Sequence, residues 1–600
     1  MRYNLLLILF AGQFINVPSI IAQNATLLSH SMRHFPETQK VLLTTPESET
    51  YCPFSEDGWY YSQVGVEATK DGFVAVYRKS DFHTATSTDI MVAYSSDGGK
   101  SWQGHHSISH SDVWNQGGCW VAPQFSKLKN GRLIIIADWG KRSPGQDHPM
   151  LAQWQLPGRG MANYLFWSDD HGKTWTGPIQ IDDVGGEPGY ITELSNGDLI
   201  FTRTQSKNSD LLWNPPQPWG NRYYYNEAVI SSDSGKSWDY HTSIADDPFH
   251  GDCEVGIAEY EPGKLLAITR IGMGGGAYGQ PSRFVYSGDF GRTWKNHILG
   301  PIYAQRAIVR PLQSGKLLVT YRNRWGTPGT YALIFDADEE LPYEPASFIY
   351  REENCNLSPE GVMTIRSDNG SENLVIYTFY PAQAPDSRVE IEVDLKVNQA
   401  DIHGCVISAG CYVSFLPDKV YLSDHPEKFF EIDASQWHNY RIIRQNGRIK
   451  IYVDQELKFD ASTDGLETRM VQIGNRAVQG FNIYKIGNQG SEDWGTASDS
   501  QWKSISVKVT NEQDYSIDWT WDPSTGFPDQ FRRDRVVVLD RIAAHFGHSG
   551  YSGWTQAEDG TIIIADYTVG GNGGEPVPMP FVRAYIASEE DLLGNVQSTK

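Results

Sequence analysis

Apolar residues in this chain occur in short runs, and small turns that contain glycine separate the runs. Two examples are residues 133–136 (Leu-Ile-Ile-Ile) and 317–319 (Leu-Leu-Val), which each follow such a turn. Runs of this length between turn residues are typical of β-strands joined in hairpins. Six such turns occur, at residues 69–72, 129–131, 195–197, 261–263, 313–315 and 558–560. The pattern therefore predicts an all-β protein with six similar strand units.

A different pattern, the alternation of apolar and polar residues, occupies residues 389–395, 440–444 and 448–454. A period of two is typical of strands that bury one face. These strands lie between the fifth and sixth strand units, so we expect an inserted β-sandwich at 386–510. The stretch from Trp437 to Asp454 resembles laminin-G and concanavalin-like jelly rolls. Such modules often bind sugars, and a structural support packed on the other strands is the alternative interpretation.

A motif, Ser-x-Asp-x-Gly-x-(Ser/Thr)-Trp, occurs four times, at residues 95–102, 168–175, 231–238 and 287–294. Its tryptophans are 73, 63 and 56 residues apart, a spacing typical of propellers and other repeat architectures. The aspartate can accept hydrogen bonds from turn amides, and glycine permits a positive φ. This motif is the Asp box, and the chain resembles the sialidase superfamily. The resemblance implies a six-bladed β-propeller, with five blades at 24–385 and the last blade and closure at 511–600.

The composition narrows the range of partners. The 600 residues carry a net charge of −23, and 12% of them are aromatic. This charge argues against nucleic acids and anionic membranes as partners. A local arginine cluster can still bind an acidic sugar, so an acidic oligosaccharide or polysaccharide remains a candidate substrate.

The N-terminus has the organisation of a secretory signal. Arg2 precedes an apolar run at 5–10, and residues 20–23 (Ile-Ile-Ala-Gln) offer a cleavage end. We therefore expect a signal peptide at 1–23 and a secreted or periplasmic protein. The apolar run is too short to span a bilayer as a helix, and no later segment reaches that length, so no membrane span is expected.

Six cysteines occur, at positions 52, 119, 253, 355, 405 and 411. Six cysteines allow fifteen pairings, so no pairing is assigned, although Cys405 and Cys411 are close enough in sequence for a bridge across a hairpin. The chain has no CxxC or HExxH motif, and no metal site or cofactor is predicted. Acidic pairs such as Asp182-Asp183 and Asp246-Asp247 leave structural Ca²⁺ open.

Three residues match the catalytic pattern of the sialidases. Glu254 opens the fourth strand unit, Arg270 follows sixteen residues later, and Tyr551 lies in Gly-Tyr-Ser at 550–552. The resemblance implies that Tyr551 is the nucleophile and that Glu254 takes its proton. A phenol has a pKa of about 10, so it needs an adjacent base to become a nucleophile at neutral pH.

Other positions depart from that pattern. Sialidases open the first blade with Phe-Arg-Ile-Pro, whereas residues 60–64 here are Tyr-Tyr-Ser-Gln-Val, without arginine. Arg78 matches the next arginine of the pattern, and Asp81 or His83 follows where an acid/base is expected. Arg322 and Arg324, with Arg310 nearby, are candidates for the third arginine that binds a substrate carboxylate. Histidine titrates near neutral pH, so His83 suits proton transfer.

Three functions remain open at this point. The first is a sialidase-like exo-glycosidase that removes a terminal acidic sugar, with Arg78, Arg270, Arg322 and Arg324 as anion ligands. The second is a lyase or dehydratase on uronic-acid oligosaccharides, in which His83 and Tyr551 perform a β-elimination. The third is a non-catalytic glycan-binding propeller. Loops with tryptophan at 139–154 and 213–219 favour a sugar ligand in all three cases.

Overall fold

A computed structural model describes 33–35, 39–44, 58–83, 85–141, 160–208, 222–247, 251–271, 282–323, 329–339, 345–349, 352–368, 375–379, 387–463, 471–475, 497–510, 516–528, 536–541, 549–570 and 579–594. In these ranges the chain forms 41 β-strands, two short 3-10 helices and one α-helix. The predicted all-β fold class is confirmed. The segment assigned to the signal peptide lies outside the described residues. Within them, no helix is long and apolar enough to cross a membrane.

The strands are numbered in chain order. Strands β1 to β6 are Arg33–His34, Lys40–Leu42, Tyr60–Thr69, Gly72–Ser80, Ser87–Ser95 and Gln103–Asp112. Strands β7 to β15 are Gly118–Trp120, Gln124–Lys127, Leu133–Lys141, Met161–Ser168, Thr176–Gln180, Thr192–Glu193, Leu199–Asn208, Arg222–Ser231 and Tyr240–Ala245. Strands β16 to β22 are Asp252–Glu261, Lys264–Ile271, Arg283–Ser287, Lys295–Leu299, Ala304–Pro311, Leu317–Asn323 and Gly329–Phe335.

The remaining elements follow. Strands β23 to β31 are Ala346–Ile349, Cys355–Leu357, Met363–Ser367, Val375–Phe379, Arg388–Ala400, Val406–Ala409, Tyr412–Phe415, Lys419–Leu422 and His425–Glu431. Strands β32 to β41 are His438–Gln445, Arg448–Val453, Glu456–Ser462, Val471–Gly474, Ser498–Thr510, Ile517–Thr520, Val537–Arg541, Gly553–Gln556, Ile562–Thr568 and Phe581–Ala587. The 3-10 helices are Glu352–Asn354 and Pro523–Thr525, and helix α1 is Glu589–Leu593.

Six sheets have four or five strands each, and each sheet contains one of the predicted turn units. Sheet I is β3–β6, sheet II is β7–β11, sheet III is β12–β15 and sheet IV is β16–β19. Sheet V has the order β1-β38-β22-β21-β20, and sheet VI has the order β2-β41-β40-β39. The N-terminal strands β1 and β2 therefore complete the two sheets that contain C-terminal strands.

The two remaining sheets are larger, with seven strands (β23-β26-β35-β28-β29-β30-β31) and eight strands (β24-β25-β36-β27-β32-β33-β34, with β37 on β36). Strands at 346–379 and 517–520 belong to them, so they extend beyond 386–510 on both sides. Strand β22 pairs with β38 across this segment. The insertion therefore lies within sheet V, between β22 and β38. Its expected position between the fifth and sixth units is wrong, because β38 follows the inserted segment in the chain and still pairs with a strand that precedes it.

Alternation of burial along β27 explains why this segment forms two facing sheets. Val389, Ile391, Val393 and Leu395 are fully buried in one apolar cluster, and the residues between them are more exposed. On the other side of the seven-stranded sheet, Ile376 packs into the apolar cluster of sheet V. This contact supports the structural interpretation of the inserted segment.

Glycines in the first strands of the sheets permit close approach between neighbouring sheets. A Cβ on Gly256 of sheet IV would lie 2.2 Å from the carbonyl oxygen of Ala307 in sheet V. A Cβ on Gly553 of sheet VI would lie 2.7 Å from the Cα of Gly65 in sheet I. The inner strands therefore pack backbone against backbone, and a side chain at these positions has no room.

The side chain of Arg310 connects strands of several sheets. Its guanidinium donates hydrogen bonds to Glu67 of sheet I at 2.6 Å and to the carbonyl oxygens of Phe125 in sheet II and Trp554 in sheet VI. It also lies over the ring of Tyr190, which precedes sheet III. The Tyr190 hydroxyl in turn donates to the carbonyl oxygen of Ile257 in sheet IV at 2.7 Å. Arg310 itself belongs to sheet V, so this network contacts five of the six sheets and the segment that leads into sheet III, and Arg310 has a structural role.

The four Ser-x-Asp-x-Gly-x-(Ser/Thr)-Trp segments form turns of the same design. In each one the aspartate accepts a hydrogen bond from the backbone N–H four residues later, at 2.8–2.9 Å. The first serine of each motif accepts from the glycine N–H, at 2.8–3.0 Å. These bonds satisfy the turn amides locally, as expected for aspartate and serine at such positions.

The five cysteines within the described residues are buried, and Cys405 is a free thiol. Cys405 and Cys411 therefore do not form the bridge that their spacing permits, although both lie in the β28–β29 region. Cys52 lies outside the described residues.

Candidate active site

Tyr551 and Glu254 form the centre of the candidate site. The Tyr551 hydroxyl donates a short hydrogen bond to Glu254 Oε1 and accepts one from Gln305 Nε2. Glu254 is almost fully buried, with 2% of its side chain exposed. The phenol therefore lies against a carboxylate that can take its proton.

Local backbone geometry directs these two side chains toward each other. Glu254 has a φ of 45°, and the pairing register of β16 with β17 shifts between Cys253 and Gly256. Such a bulge redirects a side chain out of the regular strand alternation. Tyr551 follows Gly550, whose φ of 90° is one that glycine adopts readily. A Cβ at Gly550 would lie 2.8 Å from the Cβ of Arg322, so this close approach also requires glycine.

Two arginines surround Glu254. Arg270 Nη1 donates to Glu254 Oε2 at 2.6 Å, and Arg306 Nη2 lies 3.6 Å from Oε1. Burial by itself would raise the pKa of Glu254, but the charges of Arg270 and Arg306 outweigh it and lower that pKa to about 2. Burial and the adjacent carboxylate raise the pKa of Tyr551 above its ordinary value. At neutral pH the pair is therefore a neutral phenol beside an ionised carboxylate.

Two further acidic residues belong to this site: Glu187, whose charge acts on Tyr551, and Asp138, which adjoins Glu187. The Asp138 carboxylate accepts from the backbone N–H of Ala122 and of Glu187, both at 3.0 Å. Burial raises the pKa of Asp138 to about 6, against these two donors. Burial and the charge of Glu254 raise the pKa of Glu187 to about 7. The site therefore contains groups that titrate near neutral pH.

Arg306, Glu187, Asp138 and Gln305 are not among the residues predicted from the sequence. The sequence did contain a signal for Glu187, which lies two positions before a glycine, as Glu254 and Tyr551 do. The segments with this pattern are Gln63-Val64-Gly65, Glu187-Pro188-Gly189, Glu254-Val255-Gly256 and Tyr551-Ser552-Gly553. Gln63, Glu187, Glu254 and Arg306 all have φ values between 45° and 51°. The same backbone feature therefore recurs at the start of four sheets.

Arg78, His83 and Arg322 belong to a second group, which adjoins the first. Arg78 is buried and donates to the His83 carbonyl oxygen at 3.1 Å. The exposed His83 ring contacts the Tyr60 ring at 5.9 Å between centroids. Tyr60 contacts Tyr567, which contacts Tyr551, each at 6.3 Å. The charges of Arg78 and Arg322 act on both Tyr60 and Tyr567. Aromatic rings thus connect these two arginines and His83 to Tyr551.

Asp81 has a different environment. Its carboxylate accepts from the backbone N–H of Thr86 at 2.9 Å and of Ser87 at 3.2 Å, and also from the Thr86 hydroxyl. These bonds close the loop that carries His83. Arg324 and the tryptophan-containing stretches at 142–159 and 209–221 lie outside the described residues. Within those residues, no group of three or more His, Cys, Asp or Glu side chains could hold a metal ion.

One curated protein shares part of its sequence with this chain. Over 229 residues the chain is 27% identical to a sialidase from Bacteroides fragilis (strain YCH46), a match that covers 35% of this chain and 37% of that protein. The chain thus matches little more than a third of this curated relative. No protein-family model matches the chain.

Solved structures resemble this chain only at low TM-scores. The chain is similar to a protein of unknown function from Dyadobacter fermentans, at 17% identity over 57% of this chain and 94% of that one, with a TM-score of 0.40. It is also similar to Trypanosoma rangeli sialidase in complex with sialic acid, at 12% identity over 84% and 99% of the chains, with a TM-score of 0.36.

Proposed function

We propose that this protein is an exported, carbohydrate-active enzyme, an exo-glycosidase of sialidase-like type that removes a terminal acidic sugar. In this proposal sheets I to VI are the blades of a six-bladed propeller, and the inserted sandwich supports the fifth blade. The observation that carries the proposal is the buried hydrogen bond from Tyr551 to Glu254, which Arg270 holds in place. The low-identity match to a sialidase supports the same class of reaction.

Tyr551 acts as the nucleophile in this mechanism. Its oxygen attacks the anomeric carbon while its proton passes to Glu254 Oε1, and the glycosidic bond breaks. Because the pKa of Glu254 is far below that of Tyr551, the proton stays on the phenol in the resting site. Proton transfer and carbon–oxygen bond formation therefore occur together. Water then attacks the anomeric carbon and breaks the tyrosyl–sugar bond. The group that protonated the leaving oxygen takes one proton from this water, and the proton on Glu254 returns to the Tyr551 oxygen.

The leaving oxygen needs a proton, and His83 is the proposed donor. Its ring is exposed and contacts Tyr60, whereas the Asp81 carboxylate is engaged by Thr86 and Ser87. Arg78 and Arg322, beside Tyr60 and Tyr567, are the proposed ligands of the anionic group on the sugar. Arg270 already binds Glu254, so its role is to position that carboxylate.

Elimination from a uronic acid is the second candidate. The connection from His83 through Tyr60 and Tyr567 to Tyr551 favours it, since a base and an acid on either side of a bound sugar are what β-elimination requires. In this reaction His83 removes the proton next to the carboxylate and Tyr551 protonates the leaving oxygen. The product is an unsaturated uronate, and no water is added.

Incubation with an aryl sialoside and with uronic-acid oligosaccharides separates the two reactions. For hydrolysis we expect products whose combined mass exceeds that of the substrate by one water. We also expect Tyr551→Phe to lose all turnover. A 2,3-difluoro sialic acid should also leave one sugar on the peptide that contains Tyr551. Tyr94→Phe, which removes a hydroxyl that binds Gly172 far from Glu254, should keep full activity. Cleavage without the addition of water, together with new ultraviolet absorbance, would show that the reaction is an elimination and contradict the proposed hydrolysis.

A further inference from the structure

Arg306 is a buried arginine next to the Tyr551–Glu254 pair. Its side chain is 3% exposed, and its guanidinium carbon lies 5.2 Å from the centroid of the Tyr551 ring. Nη2 lies 3.6 Å from Glu254 Oε1, and Nη1 donates to the carbonyl oxygen of Pro188 at 2.9 Å. The guanidinium is therefore held between the phenol ring, the carboxylate and a backbone carbonyl.

Arg306 and Arg270 contact different parts of the pair. Arg270 binds Oε2 of Glu254, whereas Arg306 lies beside Oε1, the oxygen that accepts the Tyr551 hydrogen bond. When the phenol proton moves to Oε1, the negative charge moves from the carboxylate to the ring. Arg306 adjoins both places, and a cation over an aromatic face is attracted more strongly once that ring is anionic.

We propose that Arg306 is a positioning residue that holds Tyr551 and Glu254 in line and stabilises the negative charge that develops on the phenol as its proton is transferred. The inference rests on the proposed role of Tyr551 as nucleophile. It adds a function for Arg306 that neither the motifs nor the comparisons supply.

A purely structural role is the alternative, since Arg306 also ties sheet V to the turn at Glu187 and Pro188. That role would affect folding but not the ionisation of Tyr551. The groups that face the phenol are Glu254, Arg270, Arg306, Glu187, the Gln305 amide and the Tyr567 ring. Only Arg306 among them is changed in the test.

The test introduces difluorotyrosine at position 551, whose phenol is more acidic than that of tyrosine, and titrates it by absorbance in the folded protein. Arg306→Gln and Arg306→Met remove the charge, and Arg306→Lys retains it. We expect both neutral variants to raise the ionisation midpoint of position 551 by about one pH unit, and Arg306→Lys to restore most of the change. Arg310→Gln, four residues along the same strand, should lower thermal stability without shifting the midpoint.

Activity gives a second readout with natural tyrosine at position 551. On an aryl sialoside we expect the neutral variants to lose about 10–100-fold in kcat, with little change in KM. An unchanged midpoint in the neutral variants overturns the proposal, and so does failure of both neutral variants to fold. If the unmodified protein does not turn over the probe, the proposed hydrolysis fails, while the titration still decides the role of Arg306.

Discussion

Glu187 is an acidic residue near the candidate nucleophile whose charge changes around neutral pH. Because burial and Glu254 raise its pKa to about 7, it is neutral in mild acid and ionised above neutrality. An ionised Glu187 places a second negative charge beside Glu254, which opposes an acidic substrate and a developing phenolate. We therefore expect kcat/KM on an aryl sialoside to fall by about tenfold between pH 6 and 8.

Glu187→Gln should remove most of this fall, as measured by pH profiles of kcat/KM. Glu193→Gln is the matched control, because Glu193 lies in the same region of sheet III and accepts from the Lys129 backbone. A profile for Glu187→Gln that retains the full decline would show that another group titrates in this range, and Asp138, with a pKa of about 6, would be the next to change.

Single residues also show what sequence alone could predict. Tyr551 lies 297 residues from Glu254 in the chain, yet the resemblance predicted Glu254, Arg270 and Tyr551 as one group, and the structure brings Glu254 into contact with the other two. Arg306 escaped prediction because its role depends on a left-handed backbone conformation at the start of β20. No residue type marks that conformation reliably when glycine is absent. Arg310 was near the candidates for the arginine that binds a substrate carboxylate, and in the structure its side chain instead connects strands of several sheets.

At the scale of elements, the close packing of β16 on β20 sets the distance between Glu254 and Arg306. A Cβ on Gly256 would lie 2.2 Å from the carbonyl oxygen of Ala307, and a backbone atom cannot rotate away as a side chain can. We expect Gly256→Ala to destabilise the protein by about 1–3 kcal/mol and to lower kcat, measured by thermal unfolding and by turnover of the aryl sialoside.

Gly288→Ala is the matched control for this prediction, since a Cβ there would meet nothing within 4 Å. It should melt and turn over substrate like the unmodified protein. If Gly256→Ala were equally harmless, the two strands would be able to separate without affecting the site, and the role of glycine in aligning Glu254 with Arg306 would be disproved.

In the inserted segment, individual strands could be predicted from the sequence, but the pairing of the strands that flank it could not. Alternation of apolar and polar residues correctly indicated strands such as β27, β32 and β33. The pairing of β22 with β38 could not be read from any local pattern, since the two strands are about two hundred residues apart. Long-range partners depend on which edges the whole fold leaves available, and a periodicity of two describes only the face that a strand buries.

At the scale of the whole molecule, a buried ionic network joins the strand after the insertion to the last sheet. Arg583 in β41 contacts Asp540 of β38 in sheet V and Asp566 of β40 in sheet VI. The Thr568 hydroxyl donates to Asp540 at 3.0 Å. Two buried carboxylates share one arginine, so the network has an excess of negative charge when both are ionised. It therefore links the contact between sheets V and VI to the ionisation of Asp540.

Burial raises the pKa of Asp540 to about 7, and Arg583 offsets that effect only in part. Because this pKa is above the ordinary value, the folded protein holds the proton more tightly than the unfolded chain does. The resulting stability is complete below pH 4 and is lost as pH rises toward 7 and beyond. We expect the melting temperature to fall between pH 5 and 8. Asp540→Asn should reduce that fall by roughly a few degrees, while Asp336→Asn, at an exposed pair with Lys316, should leave it unchanged. An undiminished fall in Asp540→Asn would mean that this network does not control the pH dependence of stability.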